Sequence, residues 1–184
     1  MATETEYRSY TIKSMKMRGV WNARAFRRKA AAGVMQTGAT EEDAILAVKT
    51  SLDASRMEQQ ALRGPGGVPS ASEYRTALAI VSMTDVMRAM LNAHLRAPDH
   101  ILTATELAHA GGYESYNLAN SQYGTLAHRV AEELEWEPPI IDGEQFWTFS
   151  LAINADEGNP IEQAEWRWRL RPEVVEAMQD DPKV

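Results

Sequence analysis

The chain has 184 residues, 44% of them hydrophobic and 24% charged, with a formal net charge of -7. That composition supports a folded core and excludes disorder throughout. The length suits one domain, or two small ones joined by a linker.

With no cysteine, disulfides, thiolate-held zinc and cysteine nucleophiles are excluded. No run of about 18 apolar residues occurs, and the opening MATETEYRSY lacks the basic and apolar regions of a signal peptide. A soluble cytoplasmic protein with no membrane partner is expected. The negative charge disfavours a protein that depends on phosphate contacts, but it is unevenly placed. Residues 1–64 carry eleven Lys or Arg against seven Asp or Glu, residues 65–135 four against eight, and residues 136–184 four against eleven. A basic first part and an acidic last part suggest two surfaces with different partners.

Tyr10-Thr-Ile-Lys and Val20 to Arg27 read as short strands joined through Arg18-Gly19. In the second, Trp21, Ala23 and Ala25 alternate with Asn22, Arg24 and Phe26. The competing reading is a helix over Asn22 to Ala32, since Ala and Arg are good helix formers. Arg18, Arg24, Arg27, Arg28 and Lys29 form the one dense basic cluster, able to hold phosphates if it falls on one hairpin face and otherwise a solvated face. Thr40-Glu-Glu-Asp43 has the pattern of a helix start, followed by Ala44, Ile45, Val48 and Leu52 at helical spacing to about Leu62. Over residues 6–62 the strands, the run Gly38-Ala-Thr-Glu-Glu-Asp-Ala-Ile and its helix resemble the small β-β-β-α unit of the HicB-like antitoxin family. The resemblance rests on that short run. It implies a unit often fused to a DNA-binding domain.

Two prolines and three glycines in Gly64-Pro65-Gly66-Gly67-Val68-Pro69 break any helix or central strand. The expected division is therefore a hairpin-and-helix unit at 1–63, a linker at 64–69 and a second domain at 70–184. Ser70-Ala-Ser-Glu73 then caps one long linking helix marked by Tyr74, Leu78, Val81, Met87, Leu91 and Leu95 and ending before Pro98. Glu73, Arg75, Asp85, Arg88 and Arg96 are placed on its exposed face.

Thr103-Ala-Thr-Glu106 caps a short helix with Leu107 and Ala108 inward, and Gly111-Gly112 ends it. A longer helix starts at Tyr116 or Asn117, with Leu118, Leu126, Val130 and Leu134 on one side and Pro138-Pro139 beyond its end. Two helices joined by a tight glycine turn form a helix-turn-helix. Phe146 to Ile153 reads as a strand with Trp147, Phe149, Leu151 and Ile153 on one face. Glu165 to Leu170 reads as its partner, alternating Trp166 and Trp168 with Arg167 and Arg169. Asp156 to Pro160 supplies the turn between them, and Pro172 opens a last helix. The fold class is thus α+β, ending in a winged helix-turn-helix over about Ile101 to Arg171. Within it Glu106-Leu-Ala, Gly112-Tyr, Asn120 and Tyr123-Gly-Thr-Leu-Ala resemble, over residues 102–136, a small domain attached to HNH-type restriction nucleases. No HNH motif is present, so cleavage activity does not follow.

If DNA is the ligand, Tyr116, Asn117, Asn120, Ser121 and Gln122 would meet base edges and His128 and Arg129 a phosphate; otherwise the same residues cap and pack the helix. Glu132, Glu133 and Glu135, with Asp156 and Glu157 at the wing, argue instead for a protein partner. Arg167 and Arg169, placed on the outer wing face with Arg171 close by, could contact a backbone or pair with Glu144, Glu162 and Glu165, and the pairing is expected. His94, His100, His109 and His128 lack metal-site spacing and are expected at the surface or as caps. No Gly-x-Ser-x-Gly elbow or phosphate-binding P-loop occurs. The reading is a non-enzymatic nucleic-acid-binding regulator, without cofactor or metal and expected to form a homodimer. The alternative is an acidic phage or mobile-element protein that inhibits a nucleic-acid-handling defence complex through protein contact or DNA mimicry.

Overall fold

A computed structural model describes residues 2–141, 143–156 and 166–179. It is α+β, with a four-stranded antiparallel sheet at the N-terminus followed by helices, and it divides into two compact units, 1–62 and 63–184.

Unit 1 is a meander of β1 (Thr3–Tyr7), β2 (Tyr10–Met17), β3 (Val20–Arg27) and β4 (Ala30–Gly38), covered on one face by α1 (Glu41–Ala61). The expected β2 and β3 pair as a hairpin around Arg18-Gly19. The helix alternative over Asn22 to Ala32 is overturned, because Ala23 and Ala25 are buried while Arg24 is exposed, a period of two. The two outer strands were missed. β1 is almost wholly polar, and β4 opens on the small residues Ala30 to Gly33, shows no apolar alternation and is interrupted by an irregularity opposite Ala23 to Ala25. The core is small: Ile12, Ala23 and Ala25 meet Ala44 and Val48 of α1. Thr40 and Asp43 form the expected reciprocal cap, and Ser14 donates from the buried face of β2 to Glu41 at 2.6 Å.

Unit 2 begins at Arg63. Its guanidinium donates to Glu73 at 2.8 Å and to the Leu134 carbonyl at 2.6 Å, and the Arg63 and Glu73 side chains are each only 9% exposed. Glu73 therefore does not lie on an open face; it pairs with Arg63 while closing the cap at Ser70. The expected long helix is in fact two, α2 (Ala71–Ile80) and α3 (Asp85–Arg96). Val81 is extended, and Thr84 caps the new helix by accepting from the Met87 N–H at 3.2 Å. The broken helix lets both pieces wrap one core.

After α3 come β5 (Ile101–Thr103), α4 (Ala104–Ala110), α5 (Tyr116–Leu134), the small hairpin β6 (Ile140–Ile141) and β7 (Glu144–Gln145), then β8 (Ala152–Asn154), β9 (Arg167–Leu170) and α6 (Pro172–Gln179). β5, β9 and β8 form an antiparallel sheet in that spatial order. α4 packs on α5, and α2 on α6. Tyr74, Met87, Met90, Leu107, Leu126, Leu151, Leu170 and Val174 are buried at the centre. Leu118 is a correction: it is 57% exposed, and the inward face of α5 is Ala119, Tyr123, Leu126, Ala127, Val130 and Leu134.

The expected strand over Phe146 to Ile153 is also corrected. Residues Trp147–Ser150 form a 3-10 turn, and the strand begins at Ala152. The backbone closes on itself there, the Phe149 N–H donating to the Phe146 carbonyl at 3.1 Å and the Leu151 N–H to the Thr148 carbonyl at 3.0 Å. Phe149, Ser150, Leu151 and Ala152 are all buried in succession. The turn is held by the Tyr74 hydroxyl, donating to the Ser150 carbonyl at 2.6 Å, and by Arg171, donating to the Phe149 carbonyl at 2.7 Å. Arg171 is thus buried, with its guanidinium 5.2 Å from the Trp136 ring centroid. Among the described residues no helix is long and apolar enough to cross a membrane.

Candidate functional site, an aromatic cleft beside the second helix

Gly112 sits at φ 76 in the turn before α5, a backbone angle that glycine takes without strain. Ser115 then caps α5 by accepting from the Asn117 N–H at 3.3 Å. The start of α5 presents Tyr116, Asn117, Asn120 and Ser121 to solvent, with Gln122 half-buried. Tyr116 and Asn120 lie one turn apart on the same side, and both line a cleft of about 620 Å³ with Ala104, Thr105, Phe146, Thr148, Trp166 and Trp168. Tyr116 is 52% exposed, and Phe146 and Trp166 are each 40% exposed.

The aromatic side of the cleft is a connected set of rings. Phe146 meets Phe149 edge-on with centroids 6.2 Å apart, Phe149 meets Trp168 edge-on at 5.4 Å, and Trp168 leans on Trp166 at 5.5 Å. Edge-to-face pairs at these separations are the favourable arrangement of aromatic quadrupoles. No charged side chain is among the described lining residues.

A buried polar chain anchors this wall. His94 Nε2 lies 2.9 Å from the Trp168 carbonyl, and Nδ1 lies 2.8 Å from the Tyr123 hydroxyl. A carbonyl only accepts, so Nε2 carries the hydrogen and Nδ1 accepts from Tyr123. The bonding network thus assigns the neutral tautomer. Burial pushes the His94 pKa down to about 4 and raises that of the Tyr123 hydroxyl. His94 was expected at the surface or as a cap; it is fully buried, because both ring nitrogens find partners inside.

The other expected site residues fall in several places. His128 stacks on Trp147 with centroids 4.0 Å apart. Arg129 turns back to the break between α2 and α3 and donates to the Ser82 carbonyl at 2.8 Å. Asp156 pairs with Arg167 at 3.1 Å, so its carboxylate meets a cation of its own sheet rather than standing alone. Glu157, Glu162 and Glu165 lie outside the described residues.

In unit 1 the basic cluster does not share one face. Arg18 belongs to the β2–β3 turn, and Arg28 and Lys29 to the β3–β4 turn at the other end of β3. Arg24 reaches the Gly33 carbonyl at 3.3 Å, and Arg27 lies over the Tyr10 ring at 5.6 Å. Three positions apart on one strand, Arg24 and Arg27 point to opposite faces.

Thr105, Phe146, Thr148, Trp166 and Trp168 were not singled out as site residues. The signal was the density of aromatics, Phe146, Trp147, Phe149, Trp166 and Trp168 within one short span, which the strand pattern had assigned to packing. Among the described residues no group of acids and histidines is placed to hold a metal ion. No protein-family model, curated protein or solved structure matches the chain.

Proposed function

We propose that the protein is a non-enzymatic nucleic-acid-binding regulator that reads bases through α5. The observation that carries this reading is the exposed start of α5, with Tyr116, Asn117, Asn120 and Ser121 beside the aromatic cleft. The element order α3, β5, α4, α5, β8, β9, with β9 between β5 and β8, supports a winged helix-turn-helix in which α5 is the reading helix and β8–β9 the wing. The resemblances over residues 6–62 and 102–136 agree with it.

Phosphate electrostatics contribute little here. Residues 63–184 carry nine Lys or Arg against nineteen Asp or Glu, and Arg129 is engaged within its own unit. Affinity for a duplex therefore rests on base edges read by α5, and that binding falls only weakly with salt. Titration of labelled duplex and single-stranded oligonucleotides at low and moderate salt tests this. Asn120→Ala is expected to weaken binding by about tenfold, the size of one lost amide–base contact, with melting unchanged. If neither duplex nor single strand binds at low salt, the reading is lost.

The acidic charge of unit 2 favours a second reading, contact with a protein complex that itself handles nucleic acid. Inhibition of such a complex that disappears when Glu132 and Glu135 are reversed to Lys would support it.

A further inference from the structure

We propose that the cleft bounded by Tyr116, Phe146, Trp166 and Trp168 captures an unpaired nucleobase. This rests on the nucleic-acid reading above and specifies its substrate class. The cleft has the size of a small-ligand site, about 620 Å³. Its walls are aromatic, and three of its rings are substantially open to solvent in a molecule that buries its other large aromatics more deeply. Such rings gain from a flat partner with a π face.

The lining also limits what that partner is. No Lys, Arg, His, Asp or Glu is among its described residues, and the surfaces those residues present are aromatic rings, methyl groups and neutral polar groups, which favour a neutral partner over a charged one. The polar groups present are the Asn120 amide and the Thr105 and Thr148 hydroxyls, neutral donors and acceptors that suit the edge of a base. A neutral heteroaromatic ring with hydrogen-bonding edges meets both conditions. A base inside a duplex does not, since its faces are covered by neighbours and its pairing edge is used.

The placement of Tyr116 and Asn120 ties the cleft to α5. A helix reading a groove through Asn117 and Ser121 would bring the cleft against the same nucleic acid, one face away. The aromatic wall is anchored from beneath, the Trp168 carbonyl accepting from the buried His94 Nε2 at 2.9 Å.

The test compares two short duplexes of one sequence, one fully paired and one carrying a single-base bulge, by anisotropy and by quenching of tryptophan fluorescence. The bulged duplex is expected to bind about tenfold more tightly and to quench more strongly. Trp166→Ala and Phe146→Ala, both at exposed cleft positions outside α5, should each remove that preference while leaving the affinity for the paired duplex and the thermal melt unchanged. Equal affinity for the two duplexes, or a preference that survives both substitutions, overturns base capture and leaves the nucleic-acid reading standing. Binding of neither duplex overturns both. Quenching by a neutral tripeptide with a central tryptophan, equal to that by the bulged duplex, assigns the cleft to a protein side chain and overturns the proposal.

Discussion

His94 shows how a single residue links the core to the candidate site. Its ring joins α3, α5 and β9 through the Tyr123 hydroxyl and the Trp168 carbonyl. Burial keeps it neutral in the folded protein, lowering its pKa to about 4 from the ordinary histidine value of 6.5. Between those values the unfolded chain binds more protons than the folded one, so stability rises with pH across that window and is lost as pH falls through it. The full loss is about 3 kcal/mol, reached near pH 4. Urea midpoints at pH 7 and pH 5 should show this, and His94→Gln should flatten the difference; an equal pH dependence in both proteins would refute it. Tyr123→Phe removes the donor to Nδ1 and is expected to cost about 1–3 kcal/mol at pH 7, read from the same midpoints. In unit 1, Gly38 is the tightest position. A Cβ there would run into the Ala44 nitrogen and the Asp43 Cβ at the start of α1. Gly38→Ala is expected to destabilise by about 1–3 kcal/mol in thermal melts.

At the scale of elements, hairpins and helix breaks decide the architecture. The β3–β4 turn places Arg28 at φ 47 and Lys29 at φ 73, both in the left-handed region that non-glycine residues enter at a cost. Replacing the pair by Asn-Gly, the favoured two-residue turn, should raise the stability of unit 1 by about 1 kcal/mol, seen as a higher melting midpoint. The break between α2 and α3 was legible in Thr84-Asp85, a cap followed by an acidic first turn, yet the apolar spacing from Tyr74 to Leu95 continued across it and suggested one helix. Apolar periodicity reports which side is buried, not whether the axis is continuous. The same limit explains Leu118, one position away from the buried stripe of α5. Capping was the dependable signal: Thr40, Ser70 and Thr103 each begin a helix where the hydroxyl and the later carboxylate said one would begin.

For the whole molecule, the two units differ in how much apolar surface supports them. Among the described residues, unit 2 has a cluster of twenty buried hydrophobics and unit 1 a cluster of five. A chain of about 60 residues is marginal without a larger core. Residues 63–184 expressed alone should therefore unfold cooperatively near the midpoint of the full chain, and residues 1–62 alone should unfold at a much lower denaturant concentration. Urea titration of the two pieces and of the full chain checks this.

By itself the sequence determined the local elements with strong signals: the β2–β3 hairpin, the capped α1, the break at Gly64 to Pro69, and the α4–glycine–α5 pair. Capping, turn chemistry and backbone sterics act within a few residues, so a linear reading captures them. Tertiary structure alone decided the rest. It divided the helix at Thr84, because two pieces were needed to surround one core. It bent Trp147–Ser150 into a turn, because Tyr74 and Arg171 hold its carbonyls from far along the chain. It drew Arg129 back to Ser82, buried His94, and gathered Tyr116, Asn120, Phe146, Trp166 and Trp168 around one cleft. Those groupings depend on side chains distant in sequence meeting in space, and local physics does not encode them.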